Sequence, residues 1–326
     1  MTKVVIIGYE QMFAKLISGC IQAGYNPVGV MRYEKVQYHP WLLALKDLII
    51  PSKDKSFISG YDLYEINATS VNSEDFRREL VRLNADIVFI ASWGEKLHKK
   101  TIDVPKIATI NCHPSLLPKY RGPNPYAQVI LNGETKTGVT FHLVDENYDT
   151  GAILAQKEVE IKPDDTGGTL KTRCTIAAGE LVGELLRQMD NEMVLPVNQK
   201  EELASYQPQI CEKDVLLNFE HTADSIDRRI RAFLPWTKCY IPHGNVFFTF
   251  KKHEIVDETC ERPSKLVDFD SDSLSIITGD KKIMKFSGIK IYEHSRLFTK
   301  LYVKFRLKTG DLMQSACYFS CKSQWI

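Results

Sequence analysis

The chain has 326 residues, 44% of them apolar and 25% charged, with 42 Lys and Arg against 41 Asp and Glu. That length is too great for one ordinary core and suits two domains, and the composition excludes a disordered or fibrous polymer. A formal net charge of +1 argues against binding nucleic acid over the whole surface.

Lys3–Gly8 reads as a buried strand ending in glycine. Glu10–Ala23 has helical spacing, with Phe13, Leu16, Ile17 and Ile21 on one face, and Asn26–Met31 is a second strand. This strand–helix–strand opening predicts an α/β fold with a Rossmann-like, doubly wound sheet. Gly8-Tyr9-Glu10 lacks the GxGxxG pattern of dinucleotide sites. Residues 32–59 form a polar, aromatic excursion with a short helix at Trp41–Ile49. Tyr61–Asn67 reads as a strand, Ser73–Leu83 as a helix capped by Asn72 or Ser73, and Asp86–Ala91 and Ile107–Asn111 as strands. Asn124-Pro125 opens a helix that stops at Asn132-Gly133. Gly138–Val144 and Ile153–Ile161 are strands, and Thr166 caps a helix running to about Met189.

Residues 190–209 are polar and aperiodic, with Pro196 and Pro208. The expected organisation is a catalytic domain at 1–189, a linker at 190–207 and a second domain at 208–326. The second domain opens with a helix, Ala223–Ala232. Short alternating segments follow at Asn245–Lys251, Lys265–Asp268, Leu274–Thr278, Lys282–Phe286, Lys290–Tyr292 and Leu301–Phe305. They predict a small antiparallel β-barrel, OB-like in size. From Lys281 to Lys322 ten Lys or Arg face two acidic residues, so a nucleic-acid contact through Phe298, Tyr302 and Phe305 stands beside a merely solvated face. Eight cysteines are scattered without a CxxC pair, which gives no zinc site, and Cys317 and Cys321 read as free thiols. No apolar run approaches the about 20 residues that span a bilayer, and the amino terminus reads as a strand, so a cytoplasmic setting is expected.

The chemistry concentrates at Asn111-Cys112-His113-Pro114-Ser115-Leu116-Leu117-Pro118 and at Asp149-Thr150-Gly151. On a strand, Asn111 and His113 share a face and Cys112 takes the other. An imidazole moves protons near neutrality, and a fixed amide N–H stabilises a developing oxyanion by roughly 3 kcal/mol. Asp149 could orient His113, with Asp145 and Glu146 as competing carboxylates. A Cys112–His113 pair fails because the side chains diverge, and a Ser115–His113 pair lacks the GxSxG elbow. Metal binding by His113, His142 and Asp149 has no recognised ligand spacing. Lys119 and Arg121 could hold an anionic group or form a solvated basic turn.

The run Asn111 to Gly122 (NCHPSLLPKYRG), with Thr137-Gly138-Val139-Thr140 and Asp149-Thr150-Gly151-Ala152-Ile153-Leu154, closely resembles the signature of 10-formyltetrahydrofolate-dependent formyltransferases. Leu234-Pro235-Trp236 and Gly244 resemble the start of the carboxyl domain of methionyl-tRNA formyltransferase, shared in altered form by sugar-amine formyltransferases. The resemblance implies a catalytic trio of Asn111, His113 and Asp149. It places the folate near Ser92, Trp93 and Gly94 and near Ser115, Leu116, Leu117 and Pro118, with Asp145 among its contacts. It implies 10-formyltetrahydrofolate as co-substrate and no metal. Asn111 and a protonated His113 would stabilise the oxyanion, His113 would then relay protons, and Asp149 would fix its tautomer.

After the second strand the tRNA enzymes carry a basic, Gly- and Pro-rich insertion. Here that place reads Met31-Arg32-Tyr33-Glu34-Lys35-Val36-Gln37-Tyr38-His39-Pro40-Trp41. The expected acceptor is therefore a small primary amine, first an amino sugar on a nucleotide. Initiator methionyl-tRNA is the alternative, followed by formyl-folate hydrolysis or folate binding without turnover.

Overall fold

The computed structural model describes residues 1–259 and 261–314. The chain divides into two compact units, residues 1–126, 135–161 and 169–208, and residues 127–134, 162–168 and 209–326. The first holds a six-stranded sheet built from β1 (Val4–Gly8), β2 (Gly29–Arg32), β3 (Ile87–Ala91), β4 (Ala108–His113), β5 (Lys136–Leu143) and β6 (Ile153–Glu160). Their spatial order is β2-β1-β3-β4-β5-β6. The first four run parallel, and β4, β5 and β6 pair antiparallel. β1 and β3 are buried along their whole length, as continuous apolar runs in a covered parallel sheet should be. Val5, Ile7, Met31, Val88 and Ile90 pack with Phe76 and Leu80 of the helix Glu74–Arg82. That helix starts where Ser73 Oγ accepts from the Phe76 N–H at 3.1 Å.

The excursion after β2 is helical, at Glu34–Gln37, Pro40–Ile49 and Lys53–Gly60. One buried cation organises it. Arg32, 1% exposed, pairs with Glu34, Asp47 and Glu65, and Lys46 and Lys55 bond Glu34 and Glu65 at 2.9 and 2.7 Å. Arg82, in contrast, sits exposed. Residues 61–67, expected as a strand, make one bridge, Val30 to Glu65. Asp62 at φ +52° interrupts extension there, and Glu65 is committed to Arg32.

The described strands of the second unit fall into two antiparallel sheets. One, of four strands, comprises Lys252–Glu258, Leu266–Phe269, Ser273–Ile277 and Lys282–Ser287. The other, of three, comprises Ile241–His243, Val246–Thr249 and Lys290–Ile291. Leu301–Phe305, expected as a strand, lies inside the helix Arg296–Arg306, which Ser295 caps by accepting from the Phe298 N–H at 3.1 Å. The apolar positions 297, 301 and 305 recur every four residues, a helical period. Cys20, Cys112, Cys174, Cys211 and Cys239 are free, whereas Cys260, Cys317 and Cys321 lie outside the described residues. Among the described residues no helix is long and apolar enough to cross a membrane.

Candidate active site

The site lies in the first unit, where the parallel half of the sheet meets the antiparallel half. Asn111 on β4 sits opposite His142 on β5, and His113 sits opposite Thr140. Directly opposed residues in a ladder share a face, so Asn111, His113, Thr140 and His142 all point one way. Cys112 points the other way. It is buried, 3.7 Å from the Met12 sulfur, and burial pushes its thiol pKa up, which ends the Cys–His reading.

The β5–β6 connection carries Asp149 back over this face. Asp149 stands at φ +58°, and Gly151 follows it because a Cβ there would fall 1.8 Å from the Leu143 carbonyl oxygen. Asp149 Oδ1 lies 3.5 Å from His113 Nδ1 and 3.6 Å from His142 Nε2. It also lies 3.3 Å from Asn111 Nδ2, while the Gly122 N–H donates to Oδ2 at 2.9 Å. Asn111, His113 and Asp149, far apart in sequence, are thus brought together.

Hydrogen bonds fix the protons. His113 Nε2 is 2.8 Å from the Tyr120 carbonyl oxygen, which can only accept. Nε2 therefore carries the hydrogen, and the Nδ1 lone pair faces Asp149. The tautomer is set by the Tyr120 main chain, where sequence reasoning had assigned that task to Asp149. His142 Nδ1 likewise donates to the Leu143 carbonyl at 2.8 Å, which leaves Nε2 to accept from Asn111 Nδ2 at 3.1 Å.

Burial of His113, 5% exposed, lowers its pKa below 6.5 against the opposing pull of Asp149, so the ring is neutral at neutral pH. Burial alone would raise the Asp149 pKa. The imidazoles of His113 and His142, charged once they are protonated at acid pH, and the Gly122 N–H outweigh it and hold the carboxyl well below the usual range. Near neutrality the site presents a base, a carboxylate and an amide around one face of the sheet.

The other residues expected here have traceable tasks. Ser92, Trp93 and Gly94 directly follow β3, whose Ile90 pairs with Asn111. Ser92 stands at φ +67°, and Trp93 packs edge-on against Tyr33 at 4.9 Å with its indole N–H buried and unpartnered. The Ser115 hydroxyl is spent on the Lys119 carbonyl at 2.7 Å, so it is no nucleophile. The Leu117 N–H donates to Thr140 Oγ1 at 3.2 Å, and the Leu117 carbonyl accepts from Gln156 at 2.8 Å. The Leu117–Pro118 peptide is cis, and Leu116 packs over Gly138. Asp145 accepts from the Thr150 hydroxyl at 2.7 Å and braces the loop. Arg121, offered from sequence as an anion holder, is buried and committed to Gln199 and Glu201. Among the described residues no group of three or more His, Cys, Asp or Glu is arranged to hold a metal ion.

Sequence reasoning weighed His142 only as a metal ligand and missed the Tyr120 carbonyl, the Gly122 N–H and Gln199. Two of these are main-chain groups, which no residue pattern announces. The alternation along β5 was the available signal for His142, one pairing partner away from Asn111.

Residues 2–186 match the family model described as formyl transferase, and residues 209–298 match that of the formyl transferase C-terminal domain. The chain belongs to the formyl transferase family. It is a formyltransferase, and Asn111, His113 and Asp149 lie within the first match. Similar sequences include the methionyl-tRNA formyltransferases of Thermotoga maritima and Enterococcus faecalis. The first is 29% identical over 88% of this chain and 92% of the relative, the second 27% over 89% and 91%. Among solved structures, the N-formyltransferase of Helicobacter canadensis, in complex with folinic acid and dTDP-3-aminofucose, superposes with a TM-score of 0.67 at 19% identity, covering 89% of this chain and all of that one. A sugar 3N-formyl transferase solved with dTDP and 5-N-formyl-THF gives 0.63 at 18%, over 90% and 99%. At these identities the likeness shows a shared fold.

Proposed function

We propose that the protein transfers a formyl group from 10-formyltetrahydrofolate to a primary amine, with Asn111, His113 and Asp149 as its catalytic residues. The observation that carries this reading is the His113 Nδ1 lone pair, aimed at Asp149 beside the Asn111 amide. The acceptor amine attacks the formyl carbon. Negative charge gathers on the formyl oxygen, where the Asn111 N–H donates to it. His113 Nδ1 takes the proton from the attacking nitrogen, and Asp149, 3.5 Å away, stabilises the imidazolium. The bond from the formyl carbon to the folate nitrogen breaks, and Nδ1 returns the proton to that nitrogen. The folate lies against Ser92, Trp93 and Gly94 and the Ser115–Pro118 turn, near Asp145. Structures of the same fold solved with folate derivatives support a folate co-substrate. On the same reading residues 1–189 are the catalytic domain, 190–207 lead out of it, and 208–326 carry a small OB-type barrel domain.

The acceptor we infer is an amino sugar on a nucleotide. The segment after β2 supports it, because Arg32 binds that segment down as helices where a flexible basic insertion would serve RNA. A second reading, methionyl-tRNA, is favoured by the names of the similar sequences and by the five cations and no acids of residues 294–308. The test is tetrahydrofolate release from 10-formyltetrahydrofolate in the presence of dTDP-3-aminofucose or charged initiator tRNA. Turnover with the sugar, little affected by salt, supports the first acceptor. Turnover only with tRNA, falling steeply with salt as counterion release requires, supports the second. Release at equal rate without any amine would make the protein a hydrolase.

A further inference from the structure

We propose that Gln199 is a positioning residue of the formyl-transfer site, and that residues 197–207 form a clamp holding the Asp149 turn against the loop at 118–122. This rests on the catalytic reading above.

The side-chain amide of Gln199 is fully hydrogen-bonded, with two donations and two acceptances. Its amide nitrogen donates to the carbonyl oxygens of Asp149 and Gly151, both at 2.8 Å. Its amide oxygen accepts from Arg121 Nε at 3.1 Å and Nη2 at 2.9 Å. Arg121, 6% exposed, is turned toward Gln199 by Glu201, which takes the rest of its fork. One side chain therefore joins the turn that carries the carboxylate to the loop that supplies the Gly122 N–H to that carboxylate.

The main chain repeats the connection. The Arg121 N–H donates to the Ser205 carbonyl at 2.8 Å, the Gln207 N–H to the Arg121 carbonyl at 2.9 Å, and the Ser205 N–H to the Pro118 carbonyl at 3.2 Å. Ser205 Oγ accepts from the Tyr120 N–H at 2.9 Å. That is the residue whose carbonyl fixes the His113 tautomer. Val197 bridges Ile153 on the far side of the turn. The segment also approaches so closely that a Cβ on Gly122 would stand 2.6 Å from the Gln207 carbonyl oxygen. A stretch read from sequence as a polar link thus touches both loops that complete the site and no reacting atom.

The ionisable groups acting on His113 are Asp149, which favours its charged form, and His142, which opposes it. A displaced Asp149 turn therefore lowers the His113 titration midpoint.

The decisive variant in the full chain is Gln199→Glu. It keeps the acceptor for Arg121 and sets a carboxylate against the Asp149 and Gly151 carbonyls. Three quantities are read: kcat and KM with 10-formyltetrahydrofolate and dTDP-3-aminofucose, the His113 ring titration by NMR, and the thermal midpoint. We expect kcat to fall about 10- to 100-fold, each KM to change less than about threefold, and the His113 midpoint to move to lower pH, while Met193→Ala, an exposed residue outside the clamp, matches wild type. Wild-type kcat with an unmoved titration overturns the proposal, as does a loss no larger than the unfolded fraction. If Gln199→Glu does not fold, Gln199→Met is read by the same criteria. Wild type inactive with every amine would refute the formyl-transfer reading, while the titration, which needs no acceptor, still decides the role of Gln199.

Discussion

Adding one methyl group at Gly151 should separate the position of Asp149 from its chemistry. An alanine Cβ there would sit 1.8 Å from the Leu143 carbonyl oxygen and 2.7 Å from its carbon, whereas real Cβ contacts under 3.0 Å are essentially unknown. Both obstacles are backbone of β5, which is paired on both edges, so the turn must yield, by about 1 Å. Overpacking of this kind costs about 1–3 kcal/mol of stability, and a reacting group displaced by about 1 Å can lose about 100-fold in rate. Gly151→Ala should therefore remain folded with a lowered thermal midpoint and lose about 100-fold in kcat, measured as tetrahydrofolate release at saturating substrates. A variant with the lowered midpoint but wild-type kcat would mean that the carboxylate can wander without consequence, and the catalytic reading of Asp149 would fall.

Asp149→Asn should abolish most turnover and shift the His113 midpoint further down, which an NMR titration would register. His113→Ala should remove turnover while leaving folate affinity within a few-fold by calorimetry; equal loss of both would return the residue to a structural role. The pH profile follows from the direction of the His113 shift. A base whose folded pKa lies below 6.5 is active above that pKa, so the acid limb of kcat/KM should fall below pH 6.5. For stability the unfolded chain binds the proton more readily, so acidification from pH 6.5 toward the folded pKa should lower the unfolding free energy by way of this group. Arg32→Met leaves Glu34, Asp47 and Glu65 without their shared cation and should cost about 3–5 kcal/mol in urea unfolding.

The strands that frame the site were legible because apolar runs and i, i+2 alternation survive in sequence. Asn111 and His113 on one face follow from that alone, and the Asp-Thr-Gly turn marked where a carboxylate could return. The partners that tune these groups were not legible. Tyr120 and Gly122 act through main-chain atoms, and Gln199 lies in a stretch whose polarity and prolines suit any connection. The mistaken strand at Leu301–Phe305 shows the same limit: five residues of alternating character fit either period, and the cap at Ser295 decided for a helix. The helix Lys53–Gly60 was missed for want of an apolar stripe, though Ser52 caps it by accepting from Lys55.

The contact between the His113 imidazole and the Tyr120 carbonyl has a consequence for how this enzyme can vary. A peptide oxygen is present whatever residue is encoded, so substitution at 120 cannot delete it. It demands only a residue tolerating φ +61°. Drift at that codon should leave proton placement untouched, and engineering there could reshape the surrounding wall without disturbing the base.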